Sequence, residues 1–229
     1  MSSDKEEWIG VSDIMSGLMM VFLFISILFM QQVQDEKKSI EHIALTYIDY
    51  QEQLQRDLLK EFEPDLTAWN AEILKDSTIR FNEPDILFDQ GSNVIKPEFK
   101  RILTNFFPRY IKVLGSQKHR ERIDEIRIEG HTSSKWSEQV SFVDRYLKNA
   151  ALSQRRSFSI LEFCFALPQV GEYQEWLTKV LRANGLAFAK PIYTHQTEDY
   201  ARSRRVEFRA LTKAEEKIKE IIENIENKS

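Results

Sequence analysis

Hydrophobic positions follow three different spacings along the chain. The first is an unbroken apolar run, Trp8 to Met30 (WIGVSDIMSGLMMVFLFISILFM), whose single charge is Asp13. The second is a polar stretch, Gln31 to Glu63, in which Ile40, Ile43, Tyr47, Tyr50 and Leu54 recur at steps of three and four. That spacing makes one helical stripe, and Pro64 is expected to end the helix. The third pattern is mixed. Thr78 to Phe88 reads as an edge or bulged strand, because Pro84 cannot donate to a ladder. Phe88 to Ser92 reads as a turn. Pro97 to Leu114 reads as a helix with Pro in its first turn and Phe99, Leu103, Phe106, Phe107, Tyr110 and Val113 on one face. Ile123 to Ile128 alternates as a strand does. Leu152 to Leu167 and Glu172 to Ala183 read as helices, the second stopped by Gly185. Ile192 to Thr194 is a short strand candidate and Arg205 to Leu211 the last strand. Lys213 to Asn227 reads as a charged helix with Ile218, Ile221, Ile222 and Ile225 in one stripe. This order predicts an α+β fold, an α/β sandwich of helices on one sheet.

Length decides what the first run is. Ile14 to Met30 spans roughly 25 Å as a helix, and starting at Trp8 gives roughly 34 Å, enough to cross a ~30 Å hydrocarbon core with some tilt. The preceding MSSDKEE is acidic and no small-residue cleavage site follows, so the run reads as an uncleaved single-pass anchor. Lys5 before it and Lys37 and Lys38 after it do not fix an orientation. The expected organisation is a tail and transmembrane helix (1–30), a helical connector (31–63), a folded domain (64–211) and a charged C-terminal helix (212–229). The connector has two readings: an amphipathic helix folded back on the domain, or a parallel two-stranded coiled coil.

Composition narrows the chemistry. The 229 residues carry a net charge of -4, which does not favour non-specific nucleic-acid binding. A single cysteine, Cys164, allows no intrachain disulfide and lies in an apolar run, as a buried core thiol does. Four scattered histidines suggest no metal site. No nucleophile or acid pair is placed for catalysis, so neither an enzyme nor a cofactor is expected.

Asp13 is the residue that asks for a function. Ser12 or Asp13 is one candidate for a helix N-cap at the headgroup level. The other reading is an intramembrane ionisable group, which is costly in lipid and marks a partner or an ion path. Ser16 and Gly17 share its helical face at i+3 and i+4, and small residues there admit another helix closely. One span cannot build a path alone, so membrane partners are implied.

Asp13-Ile14-Met15-Ser16-Gly17-Leu18-Met19-Met20, with Trp8 upstream, resembles the membrane helix of MotB-type stator proteins. The resemblance implies that Asp13 carries a proton or sodium ion. It also implies a cytoplasmic N-terminus, a periplasmic C-terminal domain at the inner membrane, and two copies inside a pentamer of a polytopic MotA-like partner. The second half is similar to OmpA-like peptidoglycan-binding domains in four places. These are Ile86-Leu87-Phe88 with Gly91-Ser92, Ile126 to Thr132 (IRIEGHT), Asn149 with Leu152-Ser153 and Arg156, and Arg204 to Phe208 (RRVEF). That likeness implies a site for the diaminopimelate of the wall peptide. Arg156 would bind its carboxylate, Thr132, Ser133, Asn149, Leu152 and Arg204 would line it, and N–H groups at the start of the Leu152 helix would add donors.

This chain departs from the pattern where Ser133 stands in place of the Asp that contacts the ammonium group, and Lys148 and Ser203 replace a common aromatic and a frequent Asn. The ammonium contact is then lost, moved to an acid such as Glu138 or Asp144, or replaced by hydroxyls. His131 is expected to serve a turn. The short N-terminus, the long segment after Thr132 and the charged C-terminal helix resemble the ZorB family, MotB-like subunits of the Zorya anti-phage defence system, with ZorA as the pentameric partner. A flagellar stator subunit and a passive membrane-to-wall tether are the alternatives.

Overall fold

A computed structural model describes residues 3–82, 84–136 and 140–213. The expected helix beyond Lys213 lies outside them. One helix, α1 (Ser3–Leu66), takes in both the apolar run and the connector. From Ile14 to Met30 its apolar side chains are exposed on all sides, and among the described residues it is the helix long and apolar enough to cross a membrane. A soluble core helix would bury one face. Within this stretch the Ser26 hydroxyl donates to the Phe22 carbonyl (2.8 Å), so it needs no water. The helix runs two residues past Pro64, whose missing N–H removes a bond only in the final turn.

The last four turns of α1 belong to the folded domain. Tyr50, Leu54, Leu58 and Phe62, each four residues on from the last, are buried. Phe62 packs on Phe106 and Trp69, with ring centroids 5.2 and 6.0 Å away. Arg109 ties the same turn down by donating to Glu61 Oε1 (2.6 Å), the Glu61 carbonyl (2.6 Å) and Asp65 Oδ2 (2.7 Å). Higher up, buried His119 joins Tyr50 Oη (3.1 Å) to Asp57 (2.8 Å). From Tyr50 onward the stripe therefore packs on its own domain.

Five strands make the main sheet in the order β1 (Ala71–Ile73), β2 (Ile79–Phe81), β7 (Val206–Thr212), β3 (Ile123–Gly130), β4 (Leu181–Gly185). Only the β3–β4 pairing is parallel. That pairing follows from the α4 (Phe142–Phe165) crossover between the two strands. One face of the sheet carries Ile126, Ile128, Phe208 and Ala210 into a core with Phe99, Leu103, Phe106, Phe107 and Tyr110 of α3 (Pro97–Leu114). The alternate positions carry Arg127, paired with Glu125, and Arg209, the period-two outcome the sequence predicts. Helices on one face of one sheet make the α+β sandwich.

Several local readings change. The predicted strand Thr78–Phe88 stops at Phe81, and Pro84 opens a single-turn helix, α2 (Pro84–Leu87), where its fixed φ suits the first position. The expected helix Glu172–Ala183 is a 3-10 turn (Pro168–Tyr173) and α5 (Gln174–Val180), followed directly by β4. The β4 sequence LRANG has little strand propensity, and register with Ile126–Gly130 imposes its conformation. Tyr193–Thr194 (β5) pairs only with Thr197–Glu198 (β6), around His195 and Gln196 at positive φ, outside the main sheet. The short helix α6 (Tyr200–Ser203) then leads into β7.

Helix α4 lies close on the sheet at two glycines. A Cβ on Gly185 would meet the backbone N and Cα of Gln154, the latter at 2.5 Å. The Gln154 amide occupies that contact, accepting from the Gly185 N–H (2.8 Å) and donating to the Ala183 carbonyl (3.0 Å). Gly185→Ala is expected to push β4 off the helix at a cost of about 2 kcal/mol and to lower the thermal midpoint by about 5 °C. Thermal unfolding followed by circular dichroism measures this, and an unchanged midpoint would show that α4 and β4 separate freely.

Candidate functional site

The end of the sheet where β3 stops and β7 starts opens into a cleft of about 570 Å³. The chain leaves β3 at Gly130. Its next two N–H groups donate to the Arg205 carbonyl (His131, 3.0 Å) and the Ala187 carbonyl (Thr132, 2.8 Å). Those bonds hold His131 to Ser133 as the cleft floor, with all three side chains buried. Thr132 Oγ1 has no hydrogen-bond partner there. One wall is α4, which contributes Asn149, Leu152 and Arg156. The other is the start of β7 with Arg204 and Arg205, and the turn Phe88 to Gly91 closes the end.

Thr132, Ser133, Asn149, Leu152, Arg156 and Arg204, scattered over more than 70 positions, thus line one cleft. Arg156 is not the exposed helix arginine that spacing alone favours. It is buried, donates from Nε to the Ser92 carbonyl (2.8 Å) and from Nη2 to the Asp89 carbonyl (3.0 Å), and its guanidinium lies 4.8 Å from the Phe88 ring centroid. Burial, reinforced by the nearby Arg204 charge, pushes its pKa down to about 10, which leaves it charged at neutral pH. An anion entering between these two guanidiniums would relieve both the desolvation and the repulsion.

Beneath the floor is a buried ion network. Glu207 Oε1 accepts from Arg80 Nε (2.7 Å) and Arg205 Nε (2.6 Å). Its Oε2 faces His131 Nε2 at 3.3 Å, and Glu129 Oε2 is 3.7 Å from the same nitrogen. Burial would raise both carboxyls, but His131, together with Lys190 at Glu129 and Arg205 at Glu207, holds them low. Glu129, His131 and Glu207 offer ligand-type atoms within 4.8 Å of one another. Two arginines already neutralise Glu207, so the cluster is built as an ion-pair network supporting the cleft. His131 therefore does more than close a turn.

The site differs from expectation in two respects. Helix α4 starts at Phe142, not at Leu152, because Ser141 caps it by accepting from the Asp144 N–H (3.1 Å). The N–H groups near Leu152 are inside the helix and offer the cleft no free donors. The sequence signal for this was present: no Gly or Pro interrupts Phe142–Phe165 after a serine. Asp144 accepts from the Ser141 hydroxyl (2.7 Å) and does not line the cleft, while Glu138 lies outside the described residues. An acid that sequence reasoning missed, Glu198, accepts from the Ser134 N–H (3.0 Å) and hydroxyl. It is distant in sequence and arrives through the β5–β6 hairpin, which no local motif announces.

Asp13 is remote from this cleft, on the N-terminal part of α1. The helix begins at Ser3, so position 13 is about three turns inside it and N-capping does not account for an acid there.

A helix long and apolar enough to cross a membrane, joined to this domain, defines the class: proteins with a candidate membrane span and a MotB/OmpA-like fold. The chain is 44% identical over 222 residues to Zorya protein ZorB of Escherichia coli, covering 96% of this chain and 94% of that one. It belongs to the ZorB family. Among solved structures, a MotB-like protein from Desulfovibrio vulgaris is similar at a TM-score of 0.52 with 24% identity, covering 72% of this chain and 96% of that one. The cell wall anchor of the T6SS from Pseudomonas aeruginosa aligns at a TM-score of 0.47 with 19% identity, over 68% of this chain and 97% of that one. No protein-family model matches the chain.

Proposed function

We propose that the chain is the wall-anchored, stator-type subunit of an ion-driven membrane motor that serves anti-phage defence. The observation that carries this reading is the 44% identity to Zorya protein ZorB, which spans both the helix bearing Asp13 and the domain bearing the cleft. On this reading 1–30 is a cytoplasmic tail and span, 31–63 the connector, whose turns from Tyr50 pack into the domain, 64–211 the periplasmic wall-binding domain and 212–229 a charged C-terminal segment. Two copies stand inside a pentamer of a polytopic ZorA- or MotA-like partner.

Each part then has a physical task. Asp13 takes up a proton or sodium ion, loses its charge, and changes its attraction for the surrounding ring. One elementary charge crossing the membrane supplies about 2.3 kcal/mol per 100 mV. That energy turns the ring only if the central helix cannot turn with it. The cleft supplies the reaction torque by holding peptidoglycan, with Arg156 and Arg204 on the carboxylate of the stem peptide. Thr132, Ser133, Asn149 and Leu152 line the site.

Purification of the full-length chain from a mild detergent tests the assembly. It is expected to bring down a polytopic membrane protein in molar excess, identified by mass spectrometry as a defence component. A flagellar partner would assign the chain to motility, and a chain that purifies alone would overturn the motor reading.

A further inference from the structure

Outside the cleft, the first turns of α4 expose an aromatic surface that the peptide site does not use. Phe142 is 65% exposed and Tyr146 45% exposed. Both rings meet Phe188 edge-on, with centroids 6.4 and 5.6 Å away and interplanar angles of 70° and 85°. Phe188 directly follows Ala187, whose carbonyl holds the Thr132 N–H of the cleft floor. The surface is therefore fixed to the cleft from below.

It is also continuous with the cleft along the helix. Phe142, Tyr146, Asn149, Leu152 and Arg156 follow at steps of four, three, three and four, so they share one face. Tyr146 lies about 15 Å along the axis from Arg156, and Phe142 about 21 Å. A three-residue peptide, extended, reaches about 10 Å. The ether-linked acid that joins the peptide to its sugar adds about one more residue's length, so in a wall fragment whose terminal diamino acid is held at Arg156 the first sugar ring begins near Tyr146 and the next lies toward Phe142.

We propose that Phe142, Tyr146 and Phe188 form a glycan subsite that takes the N-acetylated disaccharide to which the stem peptide is attached. This rests on the reading of the cleft as a stem-peptide site. The chemistry fits. Aromatic faces carry partial negative charge and sugar C–H groups partial positive charge, so rings and pyranose faces stack without burying a charge. Asp144, Arg145 and Lys148 edge the surface, which Val143 and Leu147, both exposed, extend on the same turns, and Arg145 lies over the Phe142 ring at 5.4 Å. A small aromatic platform edged by charge suits a polar sugar better than a protein interface, which typically needs about 800 Å² per partner. The subsite would make the anchor read the intact wall polymer, sugars included.

Calorimetric titration of the full chain in detergent tests this with two probes: the disaccharide-tripeptide and the same tripeptide without sugars. The wild type is expected to bind the disaccharide-tripeptide about tenfold tighter. Phe142→Ala combined with Tyr146→Ala removes that advantage and leaves tripeptide binding and the melting temperature unchanged. Arg156→Ala weakens both probes. Equal binding of the two probes by the wild type overturns the subsite alone. Failure to bind either overturns the stem-peptide reading and the subsite with it. A double variant that keeps the advantage, or that changes the sedimentation mass of the chain, shows the surface to be a protein interface and also overturns it.

Discussion

Asp13→Asn is expected to yield a protein that inserts, assembles and binds the wall yet gives cells no more protection from phage than deletion of the chain. The substitution keeps size, shape and hydrogen-bonding capacity and removes only the ability to take up and release an ion. A carboxylate inside a spanning helix carries an insertion cost, up to about 2.5–3.5 kcal/mol at the helix centre, and Asp13 lies about one and a half turns in from Trp8, so a structural role for it would need a return. Helix α1 offers none through capping, since it begins ten residues before Asp13. The neutral amide should insert at least as well, so a loss of function cannot be assigned to a missing anchor. The measurement is plaque formation on cells carrying each variant, with membrane level and co-purifying partner checked in parallel. Asp13→Glu, which retains an ionisable group one methylene further out, is expected to recover part of the activity. Full protection by the Asn variant would reduce the chain to a passive tether.

How far the sequence leads depends on how local each determinant is. The membrane helix is written in a run of residues that needs no partner to be recognised, and α3 is legible end to end because Pro97 and six apolar positions lie within 18 residues. Strands β3 and β7 are legible because Ile126 and Ile128, and Phe208 and Ala210, recur every second residue on the core face. The missed elements are those that other parts of the chain impose. Strand β4 exists because Leu181–Gly185 comes into register beside Ile126–Gly130, and β1 because a turn at Ser77 folds Ala71–Ile73 onto Ile79–Phe81. The cleft shows the same division. Its lining residues are found through short words around Thr132, Asn149, Arg156 and Arg204. The clamp from Arg156 to Asp89 and Ser92, and the network of Arg80, Glu129, His131, Arg205 and Glu207, join residues up to 127 positions apart and have no local signature.

Arg156→Ala is expected to weaken binding to purified wall sacculi about 100-fold, and the geometry gives this variant a second effect. Of the five N–H donors of a guanidinium, two are spent on the Ser92 and Asp89 carbonyls, which leaves three for a ligand. Truncation removes the charge-assisted bonds to the ligand carboxylate, worth about 2–5 kcal/mol when desolvated, which is a factor of about 30 or more in affinity. It also strands two carbonyls and uncovers the Phe88 ring, so the 88–92 turn loosens and the domain loses about 1–3 kcal/mol of stability. Comparison with Arg156→Lys separates the two losses. The lysine keeps the charge, but a single ammonium cannot bond both carbonyls and still present a planar fork to a carboxylate. It should regain part of the stability and little of the affinity. Co-sedimentation with sacculi reads the binding and urea unfolding reads the stability. Undiminished sedimentation of the alanine variant would remove the cleft from wall recognition, and with it the fixed point against which Asp13 is proposed to work.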